Sequence, residues 1–340
     1  MDNIRLIYRQ HVLDYVKKIT TLPKLDEERL KNVTTADHTV NTKDTILCMA
    51  ALEHHDNLVA VGHRDSGIQL FSLNGEKQCD YRQLGKVSSL ASLTPENMIA
   101  CTFDTRMVKI FDHKKQYVSP KKHLTGSDIC YGQKDLIAFG DRYFFVGCDG
   151  KCYLGDIHLC KELASFESEF KVHCIEVLPG NRIAAGNSNG QIHIFDFKRT
   201  KEITKLVGHT DAVVTMALLD DRTLATGSFD GTIRIWEVNE YTCKLVMEEA
   251  HETYVRQVTT LGHGLLVSVG EDGKINVWNV NTGERIATYT HGTSRVLNVA
   301  YRSGKLITTD VQGILKIWTI HDNEDPPADQ EDGKVVDSVN

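Results

Sequence analysis

No stretch of this 340-residue chain approaches the ~20 consecutive apolar residues that a membrane-spanning helix needs, and its first residues lack a signal-peptide core. The triplet Asn32-Val33-Thr34 is sequon-like, which means little without secretion. Nine cysteines are scattered with no C-x-x-C pair. Cys148 and Cys152 flank a hairpin turn and are read as an incidental thiol pair, not a metal site. Free thiols suit a reducing compartment, so a cytoplasmic or nuclear location is expected. There is no H-E-x-x-H, no G-x-S-x-G and no G-x-x-x-x-G-K-[ST], so the chemistry those patterns carry has no visible anchor. His54-His55 and His63 are isolated at loop-like positions, and Asp220-Asp221 is a turn former before it is a catalytic pair. No catalytic residue, metal, cofactor or small-molecule substrate is therefore expected, and the chain is read as a non-enzyme.

A broad basic field is also missing. Lys114-Lys115, Lys121-Lys122 and Lys198-Arg199 are only local pairs, so nucleic-acid binding is set below other readings. The formal charge of −7 is concentrated at the end: residues 322–340 contribute −6 and leave the rest near −1. Residues 321–340 are read as an acidic disordered tail, with a partner-binding tail as the alternative. Hydrophobic content of 41% and charged content of 25% are ordinary for a globular domain.

What the chain does contain is a repeat. Gly208 to Val238 reads GHTDAVVTMALLDDRTLATGSFDGTIRIWEV, with three alternating apolar runs, tight Asp/Gly turns and a Trp-acidic ending. The pattern returns from Ala250 to Val280. The position of Trp236 can be followed at Phe71, Phe111, Gly155, Phe195, Trp278 and Trp318, in steps of 40 to 44 residues. Turns Asp149-Gly150, Asn189-Gly190, Asp230-Gly231 and Asp272-Gly273 recur at matching places and suit two-residue hairpins. The last copy stops at Ile320 without the outer strand seen elsewhere, such as Glu284 to Thr290. An unpaired edge there would be a liability. Leu30 to Thr35, just before Asp37-His38, is expected to supply the strand and close the ring.

This period and motif resemble the WD-repeat β-propeller family. The resemblance implies an all-β fold: a seven-bladed β-propeller of four-stranded antiparallel blades, with a short N-terminal helix. It also implies hydrogen-bonded sets that hold single blades together: His209, Thr226, Asp230 and Trp236, then His251, Ser268, Asp272 and Trp278. A buried Asp needs such partners. In the last copy the set decays to His291, Thr308, Gln312 and Trp318, with His38 expected at an equivalent turn. The first four copies carry Phe or Gly for Trp and are read as diverged blades, with the strand limits least defined over 121–167.

Three segments follow: 1–28, an amphipathic helical extension; 29–320, the propeller; and 321–340, the tail. Ile4, Tyr8, Val12, Tyr15, Ile19 and Leu22 recur three or four apart, with Ile7, Leu13 and Val16 widening the face. That helix over 4–22 packs on the propeller's own side or pairs with another chain, as the N-terminal helix of heterotrimeric G-protein β subunits does. Turns holding His209 and Asp230 must share one face of the disc. Their neighbours Arg64, Phe103, Asp211, Phe229, Tyr254, Arg256, Glu271, Arg295 and Val311 then line one rim, where Arg and aromatic residues are interface material. The favoured function is a protein-interaction scaffold or adaptor holding a peptide or protein segment on that rim, its partner unnamed. Alternatives are a structural subunit of a fixed complex docked through the helix, an RNA-binding propeller, or a substrate receptor of a cullin-type ubiquitin ligase. For the last, Phe195-Asp196-Phe197-Lys198 is the nearest match to the Trp-Asp-x-Arg ending some such receptors carry.

Overall fold

The structure, a computed structural model, describes residues 2–52, 58–81, 85–93, 98–103, 107–112, 117–118, 136–139, 142–148, 150–156, 159 and 161–320. The described strands form seven four-stranded antiparallel sheets, each with sequence-adjacent strands as neighbours. We number these blades 1 (46–81), 2 (87–118), 3 (136–167), 4 (172–207), 5 (213–247), 6 (255–290) and 7 (296–319 plus 38–41). The first strands of successive blades lie side by side, and that of blade 7 lies beside that of blade 1, so the sheets form a closed ring. One correction to the expected fold concerns completeness. Among the described residues, six blades have four strands of four residues or more, while the fourth strand of blade 2 is described only over Tyr117–Val118.

Burial follows distance from the ring axis. All six residues of the inner strand Val213–Leu218 are buried, whereas only Met247 of the outer strand Thr242–Met247 is. Blades meet most closely at a repeated glycine. A Cβ on Gly227 would lie 2.6 Å from Val255 Cγ1 of the next blade. Gly62, Gly147 and Gly186 meet Val87, Val172 and Val213 in the same way. The position tracked by Trp236 is a β-bulge: the register between third and fourth strands slips at Phe71, Gly155, Phe195, Trp236 and Trp278. At Gly155 the missing side chain is replaced in space. A Cβ there would lie 2.1 Å from Phe144 Cζ, so the Phe144 ring fills the gap.

The N-terminal region departs from expectation at the closing strand and settles between two expected placements at the helix. First, Leu30 to Thr35 is not the closing strand. Asp26 caps a short helix, α2 (Glu27–Asn32), by accepting from Glu28 N at 3.0 Å, and two acidic residues sit in its first turn. The closing strand is His38–Asn41, paired antiparallel with Ile314–Ile317 from His38↔Ile317 to Asn41↔Ile314. His38 therefore sits in a strand, and the turn before blade 1 falls at Thr42–Thr45.

Second, helix α1 (Asp2–Thr20) spends its apolar face on the protein's own propeller. Ile4, Tyr8 and Val12 are buried against Phe139, Phe145, Phe195 and Phe197 of blades 3 and 4. The Tyr8 hydroxyl donates to Leu178 O at 2.9 Å and accepts from Leu178 N at 3.0 Å, and burial pushes its phenol far above the ordinary value. Of the two expected placements of the helix over 4–22, the structure takes the one on the propeller's own side, and the alternative of a partner helix is corrected. Leu13, expected on that stripe, is 52% exposed instead. Beyond the helix, Leu25 and Leu30 join the core of blades 6 and 7.

Candidate functional site

Because neighbouring strands run antiparallel, the turn before each innermost strand and the turn between second and third strands share one face, here the upper. Helix α1 lies on the lower face, where His11 and Tyr15 meet residues of the inner strands around a cavity of about 280 Å³.

The upper-face turns are held by directed hydrogen-bond chains. In blade 5, Trp236 Nε1 donates to Thr226 Oγ1 at 2.9 Å, and Thr226 Oγ1 lies 2.8 Å from His209 Nε2. His209 Nδ1 lies 2.9 Å from Asp230 Oδ2, which also accepts from Thr210 N at 3.0 Å. Blade 6 repeats this through Trp278, Ser268, His251 and Asp272, with contacts of 2.8 to 3.0 Å. Burial opposes the charged form of Asp230. The His209 hydrogen bond and charge, with the amides of Thr210 and Thr232, outweigh it and hold the carboxyl well below the usual range. Asp272 is depressed likewise against burial, chiefly by His251. Carboxylates so fully engaged serve the turn and leave no base for chemistry.

Blades 7 and 1 solve the same problem with displaced acids. Trp318 Nε1 donates to Thr308 Oγ1 at 2.9 Å, but Gln312 is exposed and is not the acceptor. Asp310 takes the part expected of it, accepting from Gln312 N and Ile314 N at 2.9 Å each, and lies 3.7 Å from His291 Nδ1. Burial pushes His291 down to about 4, with Asp310 opposing. In blade 1 the acid moves to the other turn: Asp44 Oδ2 accepts from Ser66 Oγ at 2.6 Å and from the amides of Ser66 and Asp65. Motif alignment missed both acids. The signal was an acidic residue two positions before a Gln at a turn, or one in the preceding loop.

In blades 1, 5, 6 and 7 the upper-face turn is pinned to the start of its blade by one backbone bond. Phe229 N donates to Ala212 O at 2.9 Å, Glu271 N to Tyr254 O at 3.1 Å, Val311 N to Arg295 O at 3.1 Å and Arg64 N to Thr45 O at 3.0 Å. This bond brings residues 16 to 19 apart in sequence to one rim. Phe229 and Tyr254 then stack across the junction of blades 5 and 6, with ring centroids 4.6 Å apart. The Arg256 guanidinium sits 4.9 Å from the Phe229 centroid and pairs with Glu271. Arg295 Nη1 reaches the same Glu271 oxygen at 3.4 Å.

These side chains surround a cavity of about 510 Å³ at the upper mouth of the ring. Of the expected rim, Arg64, Phe229, Arg256, Arg295 and Val311 line it, and Tyr254 and Glu271 stand directly behind. Asp211 is exposed on the same face but off the cavity, its carboxylate accepting from Ala212 N at 2.6 Å. Phe103 ends a strand of blade 2, and its side chain lies outside the described residues. Leu47, Ser88, Val214 and Leu297 form the floor and were not anticipated. Each lies near the start of an innermost strand, which would have found them.

Other sequence candidates resolve simply. Phe195 and Phe197 are buried, Phe197 beneath Tyr8, and Asp196 caps the turn through the amides of Lys198 and Arg199. The stretch expected to resemble a ligase-receptor ending therefore presents no aromatic residue outward. His54-His55, Lys114-Lys115, Lys121-Lys122 and the tail lie outside the described residues. Among the described residues no group of three or more His, Cys, Asp or Glu could hold a metal ion, and no helix is long and apolar enough to cross a membrane.

Residues 200–237 and 242–279 match the family described as WD domain, G-beta repeat, which covers the two blades with complete hydrogen-bond sets. Blades 5 and 6 thus carry two matched WD repeats. It is 30% identical over 155 residues to apoptotic protease-activating factor 1 of Rattus norvegicus, an alignment covering 44% of this chain and 12% of that relative. It is 25% identical over 175 residues to meiotic fizzy-related protein 1 of Schizosaccharomyces pombe, 50% of this chain and 40% of the relative. It is 39% identical over 85 residues to nuclear distribution protein nudF of Emericella nidulans, 24% and 19% respectively. The chain thus covers well under two thirds of each of these proteins.

Proposed function

We propose that the protein is a non-enzymatic interaction scaffold, located in the cytoplasm or nucleus, that holds a peptide or protein segment over the upper mouth of its ring. WD-repeat propellers are in general non-catalytic interaction scaffolds. The observation that supports the upper mouth is the Phe229–Tyr254–Arg256 cluster: stacked rings, one of them 41% exposed, under an arginine that opens onto the cavity. Aromatic and arginine side chains in such a setting dominate binding energy in protein interfaces, with hot-spot truncations costing about 2 kcal/mol or more. The polar groups of the neighbouring turns are engaged in holding the blades, which leaves recognition to the rim.

Affinity purification with mass spectrometry tests this, comparing the full chain with Phe229→Ala and Arg256→Ala. The reading expects both variants to lose the same partners while melting at the unaltered temperature. Equal partner recovery from all three proteins overturns it.

A further inference from the structure

We propose that the occupant of the upper cavity is an extended acidic peptide segment, gripped through its carboxylate side chains by Arg64, Arg256 and Arg295; this deepens, and rests on, the scaffold reading above. The cavity wall carries three guanidinium groups and no acidic side chain among its described lining residues. Glu271, just behind the wall, shows what two of them take: one carboxylate oxygen serves Arg256 and Arg295 together. That single acid does not saturate them. A guanidinium has five donors, and Arg256 Nε is buried without an acceptor. Arg295 keeps 54% of its side chain exposed. Arg64 is exposed, and its guanidinium has no hydrogen-bond or ion-pair partner among the described residues.

The volume of about 510 Å³ falls within the range of about 300–1,000 Å³ usual for binding pockets. The Phe229–Tyr254 stack beside it offers an apolar ledge for a neighbouring side chain of the same segment. Charge complementarity favours a peptide over a nucleic acid. The three guanidinium groups are gathered at one mouth, and the sequence carries no broad basic field of the kind that gives nucleic-acid affinity.

The test is a selection of phage-displayed random nine-residue peptides on the full chain, followed by anisotropy titrations with the recovered peptides in labelled, synthetic form. The proposal expects enrichment of sequences with two or more Asp or Glu beside an apolar residue. It further expects affinity to fall about tenfold with Arg64→Ala or Arg295→Ala, and to fall as salt rises. Arg64 makes no side-chain bond among the described residues that its loss would break, so a weakened Arg64→Ala reports binding and not unfolding. Glu271→Gln should instead tighten acidic peptides about threefold, because it removes the internal competitor. Enriched peptides without acids, yet lost with Phe229→Ala, overturn the acidic occupant and leave the scaffold reading standing. Enrichment indifferent to every rim variant, or none at all, overturns both. Tighter, Arg64-dependent binding of a labelled twelve-nucleotide RNA would overturn the peptide assignment.

Discussion

The two mouths of the ring are built from opposite materials. The lower mouth is covered by the chain itself: α1 lays Ile4, Tyr8 and Val12 against four phenylalanines of blades 3 and 4, and the one polar group in that contact, the Tyr8 hydroxyl, is satisfied by Leu178. The upper mouth is left open, with stacked aromatic rings, three arginines and a shared glutamate around its cavity. Apolar surface sealed by its own helix contributes to stability; aromatic and cationic surface left under-satisfied is available to a guest. The contrast separates fold from function in a molecule whose two faces are formed by equivalent turns.

The sharpest way to break this comparison is to delete residues 1–24. Four side chains of α1 are at least 94% buried, and each contributes about 1.5–3 kcal/mol. The truncated chain should aggregate or melt far earlier, as seen by light scattering and calorimetry. A soluble, fully stable truncation that has lost its partners would instead make the helix the interface. Tyr8→Ala, at the centre of that contact, should cost about 3–5 kcal/mol in denaturant melts.

Acid should act on the upper face first. His291 is pushed by burial from an ordinary 6.5 to about 4. Its folded value lies below its unfolded one, so its neutral form stabilises fully above about pH 6.5, and that contribution of about 3 kcal/mol is lost as pH falls toward 4. His63 is shifted in the same direction, also by burial, and adds to the slope. The depressed carboxyls of Asp230 and Asp272 weaken blades 5 and 6 only below their ordinary value of 3.8. Denaturant melts between pH 7.5 and 4.5 should show falling stability, and His291→Asn should flatten the curve. The smallest expected effect on folding is Arg256→Ala. Glu271 keeps Arg295 as partner, so stability should change by about 1 kcal/mol or less in the same melts while partner binding drops.

Much of the architecture was legible in the sequence because repetition writes itself along the chain. The spacing of Trp236, Trp278 and Trp318 and the Asp-Gly turns identified strands and their order, and the turn logic brought Arg64, Phe229, Arg256 and Arg295 to one rim. What was missed depended on substitution in space. Phe144 fills the gap at Gly155 from a neighbouring strand, and Asp310 and Asp44 replace turn acids from different backbone positions. Alignment by repeat position cannot see a side chain arriving from elsewhere. Closure was misplaced for a local reason: the Asp26 cap and two glutamates made 27–32 helical, moving the last strand to 38–41.

By itself, the sequence determined a closed array of antiparallel blades, since each copy buries its faces only against its neighbours and so demands the next. Only the tertiary structure decided which mouth of that ring the helix lies across. The same amphipathic stripe on α1 could have covered another chain. The choice fell to the pocket of Phe139, Phe145 and Phe197, whose rings and the Leu178 backbone accept Tyr8. Likewise, three arginines distant in sequence meet only where the ring gathers residues 64, 256 and 295 around one cavity.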